Sequence, residues 1–312
     1  MRIPFIGSQA FAPIQMTDLY SDLQTIEKQT SAQLIRTKPT KTGPGEKYGK
    51  EVIEAFHEPA ESPGLLTSLF GDVEKPPAFS YELWFDSETL SINWTLPNDY
   101  WFDKFRQTVT GEYPGIGLER ISDTFVPYNE DDYVAGGTVN LRSNRYIPIK
   151  GLSGYGQFEE DKAPLRLLTS DISADKTSSV CVQVLFKPAE PDWRDNPTGF
   201  RALKADTKAS YLREGRFVES FTDPRVEDPT EKDLKQAQAI NDHEGEAAFQ
   251  VTIRYFVFGP DENRVRNHAK QVGDVYRATY KNRELDQGFV VDDFTGKTLT
   301  NELKAAINRN FT

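Results

Sequence analysis

From Phe79 the chain alternates: Phe79, Tyr81, Leu83 and Phe85 fall on one side and Ser80, Glu82 and Trp84 on the other, which predicts a strand. Asp86-Ser87-Glu88 supplies turn chemistry, and Leu90, Ile92 and Trp94 alternate again as a returning antiparallel strand. Pro97 and Asn98 open a helix through about Gly111, with Tyr100 or Trp101, Phe105 and Val109 along its inner face. Tyr113-Pro114-Gly115 ends that helix, and residues 118–121 or 125–126 return as a strand. The unit is β-β-α-β.

A second unit repeats the theme. Val180, Val182, Val184 and Phe186 alternate with Cys181, Gln183 and Leu185 before Pro188. Residues 189–229 are charged and proline-bearing and read as a long loop or excursion with some helix, and Thr230-Glu231-Lys232-Asp233 is a helix cap. The segment 246–259, with Phe249, Val251, Ile253, Tyr255 and Val257 on one side, predicts a central strand. It feeds a helix through about Arg283 with Val265, Val272, Val275, Tyr276 and Thr279 inward. Phe289-Val290-Val291 predicts a short strand and residues 301–308 a last helix bearing Leu303, Ala306 and Ile307.

The amino-terminal part is plainer. Leu19, Leu23, Ile26 and Thr30 predict a helix over 17–33, residues 37–49 read as a loop or hairpin tip, and Leu65, Leu66, Leu69 and Phe70 make one apolar helical turn. These patterns predict an α+β fold of mixed, largely antiparallel sheets with helices, in two ferredoxin-like or split β-α-β halves. The expected divisions are 1–77, a helix and loop segment; 78–178, a first α+β unit; and 179–312, a second α+β unit with a long insertion.

Composition narrows the function. The 312 residues, 37% of them apolar, are enough for a sizeable core. Acidic residues number 48 against 37 basic, a formal charge of −11, so the average surface repels nucleic-acid phosphates and anionic lipid. A single cysteine, Cys181, allows no intramolecular disulfide, and with only His57, His243 and His268 it forms no Cys/His zinc array. No run approaches the roughly 18–20 apolar residues of a membrane helix, and the first residues lack the apolar stretch of a secretory signal. The expected setting is cytoplasmic, at the inner face of a membrane only through a partner.

Chemical motifs are few. Val291-Asp292-Asp293-Phe294-Thr295-Gly296-Lys297-Thr298 places Gly-Lys-Thr between a strand and a helix, but the first cradle glycine of a phosphate loop is Val291 and two carboxylates sit inside the loop. In Gly43-Pro44-Gly45-Glu46-Lys47-Tyr48-Gly49-Lys50, Glu51 stands where a magnesium-binding hydroxyl belongs. The three histidines read as surface residues, Asn129-Glu130-Asp131-Asp132 as a solvated turn, and Cys181 as a small core residue of its strand. The helix after Gly259 concentrates Arg264, Arg266, Lys270 and Arg277 against the acidic average. These four are the candidate contacts to a partner or polyanion, set against simple pairing with Glu262, Asp274 and Glu284. No catalytic, cofactor or metal residue is expected.

The order of these pieces resembles a known family. Phe79-Ser80-Tyr81-Glu82-Leu83, the strand at 90–95, the helix ending in Gly111-Glu112-Tyr113-Pro114-Gly115, Tyr146-Ile147-Pro148-Ile149-Lys150, the strand at 182–188, and Ile253-Arg254-Tyr255-Phe256-Val257 with its long helix are similar to the region before the motor in HerA, VirB4 and TraG-like conjugation ATPases, especially archaeal members. The resemblance covers roughly residues 65–285 and implies a non-catalytic α+β domain of a DNA or protein translocation machine. It would act through protein partners, in a homo-oligomer or larger assembly. The motor motifs have no counterpart here. A structural or assembly protein of a virion or mobile element is the alternative, and an enzyme with dispersed site residues comes third.

Overall fold

The computed structural model describes residues 11–24, 33–38, 49–57, 76–122, 125, 128–149, 164–173, 175–190, 193–194, 204–218, 225–246 and 248–311. The fold is α+β. Its frame is a nine-stranded sheet of β1 (Ile14–Gln15), β2 (Gln33–Lys38), β3 (Phe79–Phe85), β4 (Leu90–Leu96), β5 (Gly117–Arg120), β6 (Tyr133–Leu141), β7 (Ser179–Pro188), β10 (Phe249–Gly259) and β11 (Phe289–Asp293). The order is β1-β6-β10-β7-β3-β4-β2-β5, with β11 pairing the same side of β6 as β1. Every pairing is antiparallel.

Helices cover both faces. The described helices are α1 (Thr17–Gln24), α2 (Gly49–Glu54), α3 (Asp99–Glu112), α4 (Pro164–Ile172), α5 (Ala205–Glu214), α6 (Glu231–Asp242), α7 (Glu262–Thr279) and α8 (Gly296–Ile307). On one face α7 and α4 pack Val265, Val272, Leu168 and Ile172 over Leu83, Val182, Tyr255 and Val257. On the same face Trp101, Phe105 and Val109 of α3 join Val52 of α2 and Phe56 over Phe79, Leu96 and Phe186. The opposite face takes α8, whose Leu299, Leu303, Ala306 and Ile307 lie with Leu19 and Leu23 of α1 against Trp84, Cys181, Phe256 and Phe258. Burying each leucine there stabilises by about 1.5–3 kcal/mol, so the last helix is held firmly.

The strands at 79–85 and 90–96, the helix after Asn98, the capping box of Thr230 and Asp233, and the long helix capped by Asp261 lie where the pattern places them. The strand at 249–259 is central as expected, between β6 and β7. Three elements differ from expectation. Gln33 starts β2 and does not end a helix, because Leu34 and Ile35 face opposite sides of the sheet and both are buried. The last helix starts earlier, at Gly296. Strand β6 carries too weak a pattern to be read, since Gly136 and Gly137 interrupt it. A Cβ at Gly136 would stand 2.3 Å from the Tyr255 carbonyl oxygen, so glycine is what lets β6 and β10 lie side by side. The loop expected over 37–49 is replaced at its ends, where Thr37 and Lys38 finish β2 and Gly49 starts α2, while residues 39–48 and the apolar turn at 65–70 lie outside the described residues.

The insertion after β7 contains α5, the two-stranded β8 (Arg216–Val218) and β9 (Arg225–Glu227), and α6. It has its own core, in which Ala205, Ala209, Leu212, Ala237 and Ile240 pack on Tyr146, Ile147 and Leu285 from the ends of the sheet.

Candidate functional site

The strand registers place one polar residue on the same line in strand after strand. Glu119 of β5 is opposite Arg36 of β2, Arg36 opposite Asn93 of β4, and Asn93 opposite Glu82 of β3. Glu82 is opposite Gln183 of β7, Gln183 opposite Arg254 of β10, Arg254 opposite Thr138 of β6, and Thr138 opposite Asp292 of β11. A polar ladder therefore runs from β5 to β11 on the face that α8 covers, with Trp84, Cys181 and Phe256 in the row on one side of it and Thr95, Ser80 and Leu185 in the row on the other. Its middle rungs, Asn93, Glu82, Gln183 and Arg254, are fully buried.

Such a row is tolerated only if every group is engaged. Glu82 Oε1 accepts from Ser80 Oγ (2.8 Å), Gln183 Nε2 (2.8 Å) and Arg309 Nε (3.0 Å), while Oε2 accepts from Trp84 Nε1 (2.8 Å). Arg254 Nε donates to Gln183 Oε1 at 2.8 Å, and its Nη2 donates to the carbonyl oxygens of Ala305 and Asn310, both at 2.9 Å. Its Nη1 meets Glu302 Oε2 at 3.3 Å. Gln183 Nε2 also reaches the Ala306 carbonyl at 3.0 Å. Side chains from β7 and β10 thus add donors to the carbonyls at the end of α8, where Ala305 and Ala306 also accept the Asn310 and Arg309 amides.

Burial lowers the Arg254 pKa from its ordinary value, with Glu302 opposing the shift. The neighbouring Cys181 thiol is pushed well up, first by burial and then by Glu82, so it is held as a neutral thiol with little nucleophilic character. The ladder is a closed set of charge-assisted bonds that fastens α8 and residues 309–310 to the sheet. Its middle rungs are closed to solvent, while Glu119 and Asp292 at its two ends are exposed.

A second buried polar contact is His268 on α7. Its Nε2 lies 2.7 Å from the Asp171 carbonyl oxygen, which only accepts, so that nitrogen carries a proton. Its Nδ1 lies 2.7 Å from Ser178 Oγ. His268 and Ser178 are both 2% exposed, which corrects the expectation of three surface histidines and leaves this serine–histidine pair closed to solvent. The pair joins α7 to the end of α4 and the start of β7.

The four candidate contact residues lie along the outer side of α7, away from Val265, Val272 and Tyr276. Arg266 pairs with Glu262, Arg277 with Asp274 at 2.7 Å, and Arg277 also donates to the Val291 carbonyl at 3.0 Å. Arg264 donates to Thr177 Oγ1 at 3.3 Å, and Lys270 is exposed. The Gly-Lys-Thr of 296–298 begins α8, but the strand before it is antiparallel and lies at the border of the sheet. Val291 is buried and paired with Val139, Asp293 accepts from the Phe11 amide, and Asp292 from Asn140. Among the described residues no group of three or more His, Cys, Asp or Glu is placed to hold a metal.

Sequence reading missed the ladder because each rung is one polar residue on the alternate side of an apolar strand, the position normally given to solvent. One signal was available: Arg254 stands between Ile253 and Tyr255 in a strand whose other side carries Phe256 and Phe258, so an arginine there has to be buried.

Residues 14–312 match the family model described as a domain of unknown function, DUF8128. The chain belongs to that family. No curated protein and no solved structure matches it.

Proposed function

We propose that this DUF8128 chain is a non-catalytic assembly or interaction domain that works through protein contacts, in the way the resemblance to the pre-motor region of translocation ATPases implies. The observation that supports it is the use made of the buried chemistry. The residue types that serve catalysis elsewhere, Glu82, Arg254, Cys181, Ser178 and His268, are here buried and spent on fastening α8 and α7 to one sheet. The order strand–strand–helix followed by strand–long helix supports the translocation form of the reading.

Sheet extension is a poor route to that assembly. At one border Lys38 pairs with Glu119 at 2.7 Å and Arg120 with Asp99 at 3.0 Å, and Arg120 stacks over Phe102 at 4.0 Å. At the other border Arg277 occupies the Val291 carbonyl. Charged borders of this kind discourage strand addition, so contacts through helices or loops are expected.

Sedimentation of the purified chain over a range of concentrations, together with calorimetry against ATP-magnesium and duplex DNA near physiological salt, tests the reading. Self-association with no saturable binding of either ligand is the expected result. A strict monomer that binds and turns over nucleotide, with the binding lost in Lys297→Ala, would overturn it.

A further inference from the structure

We draw no further inference here: the strongest candidate, the exposed apolar patch that Leu141 of β6 and Val251 of β10 make beside Phe289 of β11, is a stretch of open sheet face and nothing among the described residues shows what covers it.

Discussion

Tyr255 sits in the central strand, fully buried, and its hydroxyl has no hydrogen-bond partner among the described residues. Burial raises its pKa far above the ordinary phenol value, so the group stays neutral. The ring is accommodated by two glycines: a Cβ at Gly273 of α7 would stand 2.6 Å from the hydroxyl oxygen, and one at Gly137 of β6 3.1 Å from it. Removing an unsatisfied buried hydroxyl costs nothing in bonding, so Tyr255→Phe should leave the denaturation midpoint unchanged or raise stability by about 1 kcal/mol. Gly273→Ala should destabilise by about 1–3 kcal/mol, and Tyr255→Phe should recover part of that loss, because the clash is with the oxygen. Equal losses for Gly273→Ala in both backgrounds would show the hydroxyl is not the obstacle. Asp175 gives a residue-scale pH effect. Burial raises its pKa, but the Thr177 hydroxyl and amide, with His268 and Arg264, outweigh that, and the net shift is downward. A lowered carboxyl pKa stabilises the fold above the unfolded value of about 3.9 and is lost as pH falls through the folded value. Asp175→Asn should therefore cost up to about 1 kcal/mol at neutral pH, after solvent screening, and flatten the loss of stability below about pH 4. Urea unfolding at several pH values measures both.

At the scale of elements, α8 shows how packing and the polar ladder divide the work. Its leucines supply the burial, but carbonyls at 305, 306 and 310 are held by Arg254 and Gln183 from below. Arg254→Ala takes a buried guanidinium away from Glu302 and Gln183, the donor from the Asn310 carbonyl and one of two donors from the Ala305 carbonyl, a loss of about 3–5 kcal/mol. Hydrogen exchange should show amides of 303–310 losing protection before those of β10. Unchanged protection at the end of α8 would mean the leucines alone hold it. Strands β3, β4, β7 and β10, which carry the buried rungs, were readable because their apolar residues alternate, and the helices after Asn98, Thr230 and Asp261 were readable because their caps are local. The ladder was not, since its meaning lies in register between strands far apart in sequence: Glu82 meets Gln183 and Arg309, and Arg36 meets Asn93. The burial of His268 was hidden for the same reason, its partners lying 90 and 97 residues away.

Across the whole molecule, the segments 1–77, 78–178 and 179–312 interleave in one sheet. Strand β3 lies between β4 and β7, and β6 pairs only with β1, β10 and β11, none of them from residues 78–178. Strand β5 pairs with β2 of the amino-terminal segment. Among the described strands a piece spanning 78–178 would keep a single pairing, the β3–β4 hairpin, and such a hairpin is marginal in water even with α3 to cover it. A piece spanning 179–312 would keep β7–β10 and the small β8–β9 pair, while β11 and the outer side of β10 would lose β6. Glu82 would lose Gln183 and Arg309, which lie on the other piece. The units legible as repeated strand and helix order are thus not independent folding units, because the order along the chain differs from the order across the sheet. The chain should accordingly lose β3, β6, β7 and β10 together on unfolding, and each separate piece should lack a cooperative melt by circular dichroism. Mixing the two pieces should restore helical signal only when residues 1–77 are also supplied, since β1 pairs β6 at one end of the sheet and β2 joins β4 to β5 at the other. A cooperative melt from 78–178 alone would show that its hairpin and helix suffice, and that the interleaving is a docking of two finished domains.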